Sequence, residues 1–231
     1  MKTDKDELII WLFDDEETQL RTYKALLQNA LPRNSGARIQ AVKALPHKED
    51  YLRVVNDKLT GCLIVDQRMK ETGEADYTGI ELAKYLRALN DKLPIYILTN
   101  YDAIPDEFSG SEWSVEDILS KKKAGESDIL TIFIARLLRR MKTYQNILGE
   151  REQRFSELLK KSLDKRLTKK EIKELDELRY QRASTILAEE QSREIQQNIE
   201  RIEGLLDKLS AETGKSKKVY PKKTKTKARK K

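Results

Sequence analysis

The stretch LIVDQRM, residues 63–69, decides how the first half of this chain folds. Three aliphatic residues lead directly to Asp66. A short apolar run that ends in a charged residue is typical of a buried parallel β-strand that delivers one functional group to the carboxyl edge of a sheet. The stretch therefore predicts an α/β fold with Asp66 at the edge where such sheets bind ligands.

Three further segments repeat this pattern. They are LFDDE at residues 12–16, IYILTN at residues 95–100 and DILSK at residues 117–121. Together with the first stretch they bring five polar groups to one sheet edge, namely Asp14, Asp15, Asp66, Thr99 and Lys121. Carboxylates can hold a divalent cation, and a hydroxyl and an ammonium can bind oxygens of a phosphoryl group carried by an aspartate. This combination indicates phosphoryl signalling.

Short apolar runs alternate with helical patterns up to about residue 127. The predicted strands cover residues 7–13, 37–41, 61–65, 93–98 and 115–119, and the predicted helices cover residues 17–31, 49–58 and 79–89. Residues 103–114 give the weakest pattern, because Pro105 and Gly110 interrupt any helix. The alternation predicts a doubly wound, five-stranded parallel sheet covered by helices on both faces.

The five polar groups have a common chemical logic. A carboxylate is a weak nucleophile toward a phosphoryl group because both are negative. Mg²⁺ held by Asp14, Asp15 and Asp66 offsets that repulsion. Lys121 can neutralise one phosphoryl oxygen and Thr99 can donate a hydrogen bond to another. The Thr99 contact exists only in the phosphorylated state, so it can bias a conformational equilibrium.

These segments resemble the receiver domain of bacterial two-component response regulators, over about residues 6–140. The resemblance implies a flavodoxin-like fold in which Asp66 accepts a phosphoryl group from a histidine kinase or a phosphotransfer protein. The serine or threonine and the lysine of the family match Thr99 and Lys121. The protein would not be an enzyme in the usual sense, because at most it catalyses its own phosphorylation and dephosphorylation.

The resemblance also implies Mg²⁺ as the cofactor. Asp15 and Asp66 would be direct metal ligands, and Asp14 would act mainly through water. The backbone carbonyl of Arg68, two residues after the acceptor, would complete the ligands from the protein.

Several positions depart from the family pattern. Lys70 and Lys122 stand where the family usually has proline, and the loop over residues 70–78 is a few residues longer than usual. Asn100 follows Thr99, at a position where the family usually has alanine or another small residue. Ile118 stands where the family has an aromatic switch residue, so a ring rotation cannot report phosphorylation here.

The second half of the chain has a different pattern. Apolar residues recur at 4-3 spacing at Leu130, Ile134, Leu137, Met141, Tyr144 and Leu148, and Phe155 and Leu158 resume this register after one break at Arg151. A capping box at residues 168–171 begins another helix, whose apolar positions are Ile195, Ile199, Ile202, Leu206 and Leu209. These spacings predict a long coiled-coil hairpin, paired within the chain or with a second subunit.

Four regions follow from these patterns. We expect a receiver core at residues 1–127, the last receiver helix extended into a coiled coil at 128–163, a second long helix at 168–213, and a disordered basic tail at 214–231. Residues 215–231 contain ten Lys or Arg and no acid, which leaves 36 basic against 39 acidic residues in the rest of the chain. The net charge of +7 is therefore a property of the tail.

Other compositional features exclude several protein classes. There is no signal peptide and no apolar run near 18 residues, so we expect a cytoplasmic protein without a membrane span. Cys62 and His47 are each the only residue of their type, so neither a disulfide nor a zinc site is expected.

The leading hypothesis for function is an adaptor whose phosphorylation changes coiled-coil pairing, through self-association or a partner protein. The alternative is a nucleic-acid-binding or architectural protein with a degenerate receiver scaffold, in which the tail binds phosphates without sequence specificity. A phosphatase of the haloacid-dehalogenase type needs a second acid two residues after the nucleophile. Arg68 occupies that position, which argues against such turnover.

Overall fold

The computed structural model of the chain describes residues 7–73, 75–100, 110 and 112–213. The elements within these residues are the strands β1 (Leu8–Asp14), β2 (Ala37–Lys43), β3 (Thr60–Asp66), β4 (Ile95–Thr99) and β5 (Asp117–Ser120), and the helices α1 (Glu17–Ala30), α2 (Leu52–Asn56), α3 (Gly79–Leu89), α4 (Ser127–Leu163) and α5 (Lys169–Thr213). Every predicted strand is present, and its ends differ from the prediction by at most two residues.

The five strands form one parallel sheet with the order β2-β1-β3-β4-β5. The central strands β1, β3 and β4 are buried along almost their whole length, as expected for strands covered on both faces. Because all strands are parallel, their carboxyl ends meet at one edge. This confirms the predicted doubly wound five-stranded sheet.

Each face of the sheet is covered by its own set of helices. Helices α2 and α3 pack on one face, where Val55, Ile80 and Leu86 join the core. Helices α1 and α4 pack on the other face, where Leu27 and Leu137 join a second core. The sheet therefore separates two apolar layers and leaves its carboxyl edge open to loops.

The apolar positions of α4 divide between two different surroundings. Leu130, Ile134, Leu137 and Met141 are part of the core between α1 and the sheet, and Tyr144 is buried in the core on the other face. The first part of the predicted coiled-coil seam is therefore packed within the α/β domain. The 4-3 spacing predicts a coiled coil here, but the same spacing also produces the apolar stripe of a helix that covers a sheet.

Beyond the domain, the end of α4 and the first part of α5 form an antiparallel hairpin over residues 152–182. Helix α4 ends where Lys165 takes a left-handed backbone conformation with φ 54° and the Arg166 amide donates to the Lys161 carbonyl at 3.1 Å. Helix α5 begins at the predicted capping box, in which the Glu171 amide donates to Thr168 Oγ1 at 3.3 Å.

Described contacts between the two helices join residues 152–161 to residues 171–182. Arg154 forms a two-pronged ion pair with Glu174, with both nitrogen–oxygen distances at 2.8 Å. The Arg182 guanidinium lies 4.4 Å from the centroid of the Phe155 ring. Leu158 and Leu175 are buried in this part of the chain and belong to neither core of the α/β domain.

Residues 191–213 of α5 belong to a separate compact unit, in which Ile202 and Leu205 are exposed. The side chains of the other predicted seam residues of α5, the weak segment at 103–109 and the basic tail lie outside the described part of the chain. Among the described helices, none is long and apolar enough to cross a membrane.

Candidate functional site

The carboxyl edge of the sheet brings together all five side chains predicted from the sequence. Asp14, Asp66 and Thr99 are the last residues of β1, β3 and β4. Asp15 follows β1, and Lys121 follows β5. Thr99 pairs in register with Ser120, and Asp66 pairs with Leu98, so the strand ends are level with each other.

These side chains are charged or polar and yet almost completely buried. The exposed fraction is 1% for Asp14, 4% for Asp15 and for Asp66, 2% for Thr99 and 6% for Lys121. Burial of an ionised group is strongly unfavourable unless opposite charges or hydrogen bonds stabilise it. A cluster of this composition in a protein interior indicates a functional site rather than a solvated surface.

Lys121 is the charged partner within the cluster. Its Nζ atom lies 2.7 Å from Asp14 Oδ2 and 2.8 Å from Asp66 Oδ1. Burial lowers the pKa of Lys121, but the neighbouring carboxylates of Asp66 and Asp14 outweigh it, so this pKa lies above its ordinary value. Burial raises the pKa of Asp66 above its ordinary value, although Lys121 opposes the shift.

Backbone amides orient the three carboxylates. The Glu16 amide donates to Asp14 Oδ1 at 2.9 Å, and the Arg68 amide donates to Asp66 Oδ2 at 2.6 Å. The Thr72 amide donates to Asp15 Oδ2 at 2.9 Å. Fixed donors of this kind hold the carboxylates in place, so their oxygens are arranged before any ligand binds.

The three carboxylates fit a divalent cation. Asp14, Asp15 and Asp66 each offer an oxygen within 4.8 Å of the others. Oxygens that share one Mg²⁺ bind at about 2.1 Å from the ion, so small side-chain rotations suffice to bring these atoms into a coordination sphere. One lysine cannot neutralise three carboxylates, and the remaining negative charge favours a hard cation over water alone. Arg68 lines the same pocket.

The long loop after β3 is anchored on the domain core by two tyrosines that sequence analysis did not single out. The Tyr77 hydroxyl donates to the Leu45 carbonyl and lies 2.7 Å from the Tyr51 hydroxyl. Burial raises the pKa of Tyr51 to about 12, so its hydroxyl stays neutral. The only sequence signal for this anchor is an aromatic residue in an otherwise polar loop. The two tyrosines fix the loop after β3, and the Thr72 amide of this loop donates to the Asp15 carboxylate.

Two further residues at the site were also missed. The Tyr23 hydroxyl of α1 donates to the Lys121 carbonyl at 3.2 Å, and its ring centroid lies 5.6 Å from Lys121 Nζ. Gln67 is 1% exposed, and its Oε1 atom accepts a hydrogen bond from the Ile80 amide at 3.1 Å. Tyr23 therefore supports Lys121 from α1, whereas Gln67 ties the acceptor strand to α3.

The positions that depart from the family pattern lie around this site. Ile118 is partly buried against the core on the face of α2 and α3. Asn100 is exposed and lines the pocket of the three carboxylates, together with Glu16 and Glu71. Neither residue interrupts the cluster of buried charges.

Comparisons with solved structures find several chains that are similar to this one. The chain is similar to the BeF3-activated DrrB receiver domain, with 19% identity, 58% of this chain and 98% of that chain covered, and a TM-score of 0.43. A receiver domain protein from Clostridium thermocellum is 20% identical, with 59% and 98% covered and a TM-score of 0.45. The regulator TrrA from Thermotoga maritima, in complex with Mg²⁺ and BeF, is 21% identical, with 56% and 98% covered and a TM-score of 0.43.

No curated protein sequence matches the chain. The family model of the response regulator receiver domain matches residues 10–133, which is more than half of the chain and includes most of β1, the other four strands and the whole charged cluster. The chain therefore belongs to the response regulator receiver domain family of two-component systems.

Proposed function

We propose that Asp66 accepts a phosphoryl group from a phosphohistidine of a histidine kinase or a phosphotransfer protein. The observation that carries this proposal is a buried aspartate held by Lys121 at 2.8 Å, in a cluster with two further carboxylates. An Asp66 carboxylate oxygen forms a bond to phosphorus while the phosphorus–nitrogen bond of the donor breaks. The electron pair of that bond remains on the donor imidazole.

The residues around Asp66 have separate roles in this proposal. Asp14, Asp15, Asp66 and the Arg68 carbonyl would hold Mg²⁺, which would neutralise phosphoryl oxygens and so reduce the repulsion that the Asp66 carboxylate meets. Lys121 moves from the carboxylates to a phosphoryl oxygen, and Thr99 donates its hydroxyl to another one. These contacts are charge-assisted hydrogen bonds in a buried site, where their effect is larger than in water.

The output in this proposal is a change in the contacts of the helical hairpin, either with a second copy of the chain or with a partner protein. The hairpin has no catalytic cluster among its described residues. Tyr180, Ile186 and Leu187 of α5 are more than half exposed, so the described part of the chain leaves these large apolar side chains largely uncovered. A helix of this length needs such packing, because propensity alone does not stabilise it.

Phosphorylation can be tested with acetyl phosphate as a small donor. The full chain should gain one phosphoryl group in the presence of Mg²⁺, and the product should be stable in acid and labile in base, as an acyl phosphate is. Intact-mass measurement follows the reaction, and EDTA should prevent it because the carboxylates then lack their cation. A failure of the chain to incorporate phosphate from any phosphorylated histidine donor or acetyl phosphate would refute the proposed function.

Nucleic-acid binding through residues 215–231 is the second candidate, supported by ten basic residues without an acid. Such binding should weaken by orders of magnitude between roughly 50 and 200 mM salt if six or more phosphates are contacted. Removal of residues 215–231 should abolish it, since the remaining chain has 36 basic and 39 acidic residues. Salt titrations with a labelled duplex measure this. Tight binding by the truncated protein would instead indicate a folded nucleic-acid site.

A further inference from the structure

Helix α3 begins in direct contact with the acceptor strand. Gln67, the residue after Asp66, accepts the Gly79 amide on its backbone carbonyl at 3.0 Å and the Ile80 amide on its side-chain Oε1 at 3.1 Å. These are two of the amides that a helix cannot satisfy internally at its start. The first turn of α3 is therefore bonded to the residue that directly follows the proposed acceptor.

The contact is also steric. A Cβ atom added at Gly79 would lie 2.4 Å from the Asp66 carbonyl oxygen, which is closer than real Cβ contacts allow. Glycine is needed here because the helix backbone passes against the Asp66 peptide. Any shift of that peptide must therefore move the start of α3 with it.

The other end of α3 is bonded to the part of α4 that leads into the hairpin. Asn90 follows the last residue of α3, and its Nδ2 donates to the hydroxyl of Tyr144 at 2.9 Å. Its Oδ1 accepts the amides of Lys92 and Leu93, both at 3.2 Å, so the Asn90 side chain is oriented by the loop itself. Tyr144 is 3% exposed, and its position on α4 is therefore well defined.

Ion pairs reinforce this junction. Glu116 lies between Arg87 of α3, at 3.4 Å, and Arg140 of α4, at 2.9 Å. Asp91 lies 3.3 Å from Arg151, one helical turn before Phe155. The Arg87 side chain is only 9% exposed, so its pairing is weakly screened by water.

We propose that Gln67 and Asn90, at the two ends of α3, are positioning residues that couple the Asp66 edge of the sheet to the segment of α4 from Tyr144 to Arg151. Helix α3 has eleven residues and spans about 16 Å between these contacts. A short helix is rigid, so a displacement at one end appears at the other end.

The path matters because Ile118 replaces the aromatic residue whose rotation would otherwise report phosphorylation. The coupling through α3 begins at the acceptor peptide and does not need that ring. The proposed function enters only as the trigger, since the coupling between the two ends of α3 exists in the unmodified chain as well.

Amide hydrogen exchange of the unmodified full chain tests the coupling. Tyr144→Phe removes only the hydroxyl that accepts from Asn90. It should speed exchange of the Gly79 and Ile80 amides by about two- to tenfold relative to α1, the range expected for one hydrogen bond. Tyr96→Phe is the matched control, because Tyr96 is equally buried but lies in the core on the opposite face of the sheet. Unchanged exchange at Gly79 and Ile80 in Tyr144→Phe, or an equal change in Tyr96→Phe, would overturn the coupling.

A second arm uses the chain modified with acetyl phosphate and Mg²⁺. Modification should alter exchange in residues 144–151 of the wild type. The change should be lost in Gln67→Met at the same extent of modification, and restored in Gln67→Glu, which keeps an acceptor oxygen for the Ile80 amide. A phosphorylated wild type with unchanged exchange at 144–151 would contradict the inference and leave the proposed function intact. If no phosphate is incorporated, the proposed function fails, and the unmodified variants still decide the coupling.

Discussion

Replacement of Asp66 with asparagine should abolish phosphoryl incorporation while the chain remains folded. An amide is neither an effective nucleophile toward phosphorus nor a good ligand for Mg²⁺. The substitution is nearly isosteric, but asparagine replaces one carboxylate oxygen by an NH2 group, which cannot accept a hydrogen bond. One of the two donors at this position, Lys121 Nζ at 2.8 Å or the Arg68 backbone N–H at 2.6 Å, therefore loses its acceptor. That mismatch costs about 1–3 kcal/mol, and the loss of repulsion from Asp14 offsets part of it.

The measurement is the intact mass after reaction with acetyl phosphate and Mg²⁺, together with the thermal unfolding midpoint of each variant. Asp117→Asn is the control, because it makes the same chemical change at the start of β5, where the Asp117 side chain is 39% exposed. It should incorporate phosphate as the wild type does. Labelling of Asp66→Asn to the extent of the wild type would place the acceptor elsewhere.

The sequence was sufficient to predict the sheet and the position of its charged cluster. Each strand is a short apolar run, and Asp14, Asp66, Thr99 and Lys121 occur where a run ends. Parallel strands bring their carboxyl ends to one edge, so these residues meet although they are far apart in the chain. No contact information was needed, because the topology of such sheets makes the juxtaposition nearly unavoidable.

The contacts that orient the cluster were not predictable in the same way. Three such contacts involve the polar segment after β3, which has no periodicity. They are the Thr72 amide that donates to Asp15, the Tyr77 hydroxyl that donates to the Leu45 carbonyl, and the Gln67 side chain that accepts the Ile80 amide. Turn-forming residues in that segment predict a loop but do not determine which donors face inward. Such contacts depend on the loop conformation, which is decided by tertiary packing.

The heptad pattern correctly predicted the helix α4, but it did not predict which surfaces cover the apolar side of this helix. A 4-3 spacing reports one apolar stripe along a helix, and it does not distinguish a second helix from a sheet as the covering surface. Leu137 and Leu158 belong to the same stripe in the sequence. In the structure Leu137 lies in the core between α1 and the sheet, whereas Leu158 lies in the hairpin.

This difference leads to a prediction about two leucines that are both 0% exposed, namely that their truncation lowers the stability of different parts of the chain. Leu137→Ala should lower the free energy of unfolding of the α/β domain by about 2–5 kcal/mol, because it leaves a cavity against the sheet. Leu158→Ala should leave that transition almost unchanged and instead reduce helicity, because its cavity lies in the hairpin.

Urea unfolding followed by tryptophan fluorescence distinguishes the two variants. Trp11 is buried in β1, so its fluorescence reports unfolding of the α/β domain, whereas Trp113 is already 66% exposed in the folded chain. Far-ultraviolet circular dichroism of the same samples follows the hairpin. Equal destabilisation of the Trp11 transition by both variants would mean that the hairpin and the domain unfold as one unit. A stable Trp11 transition in Leu137→Ala would instead place residue 137 in a coiled coil, because a side chain in the domain core cannot be truncated without loss of domain stability.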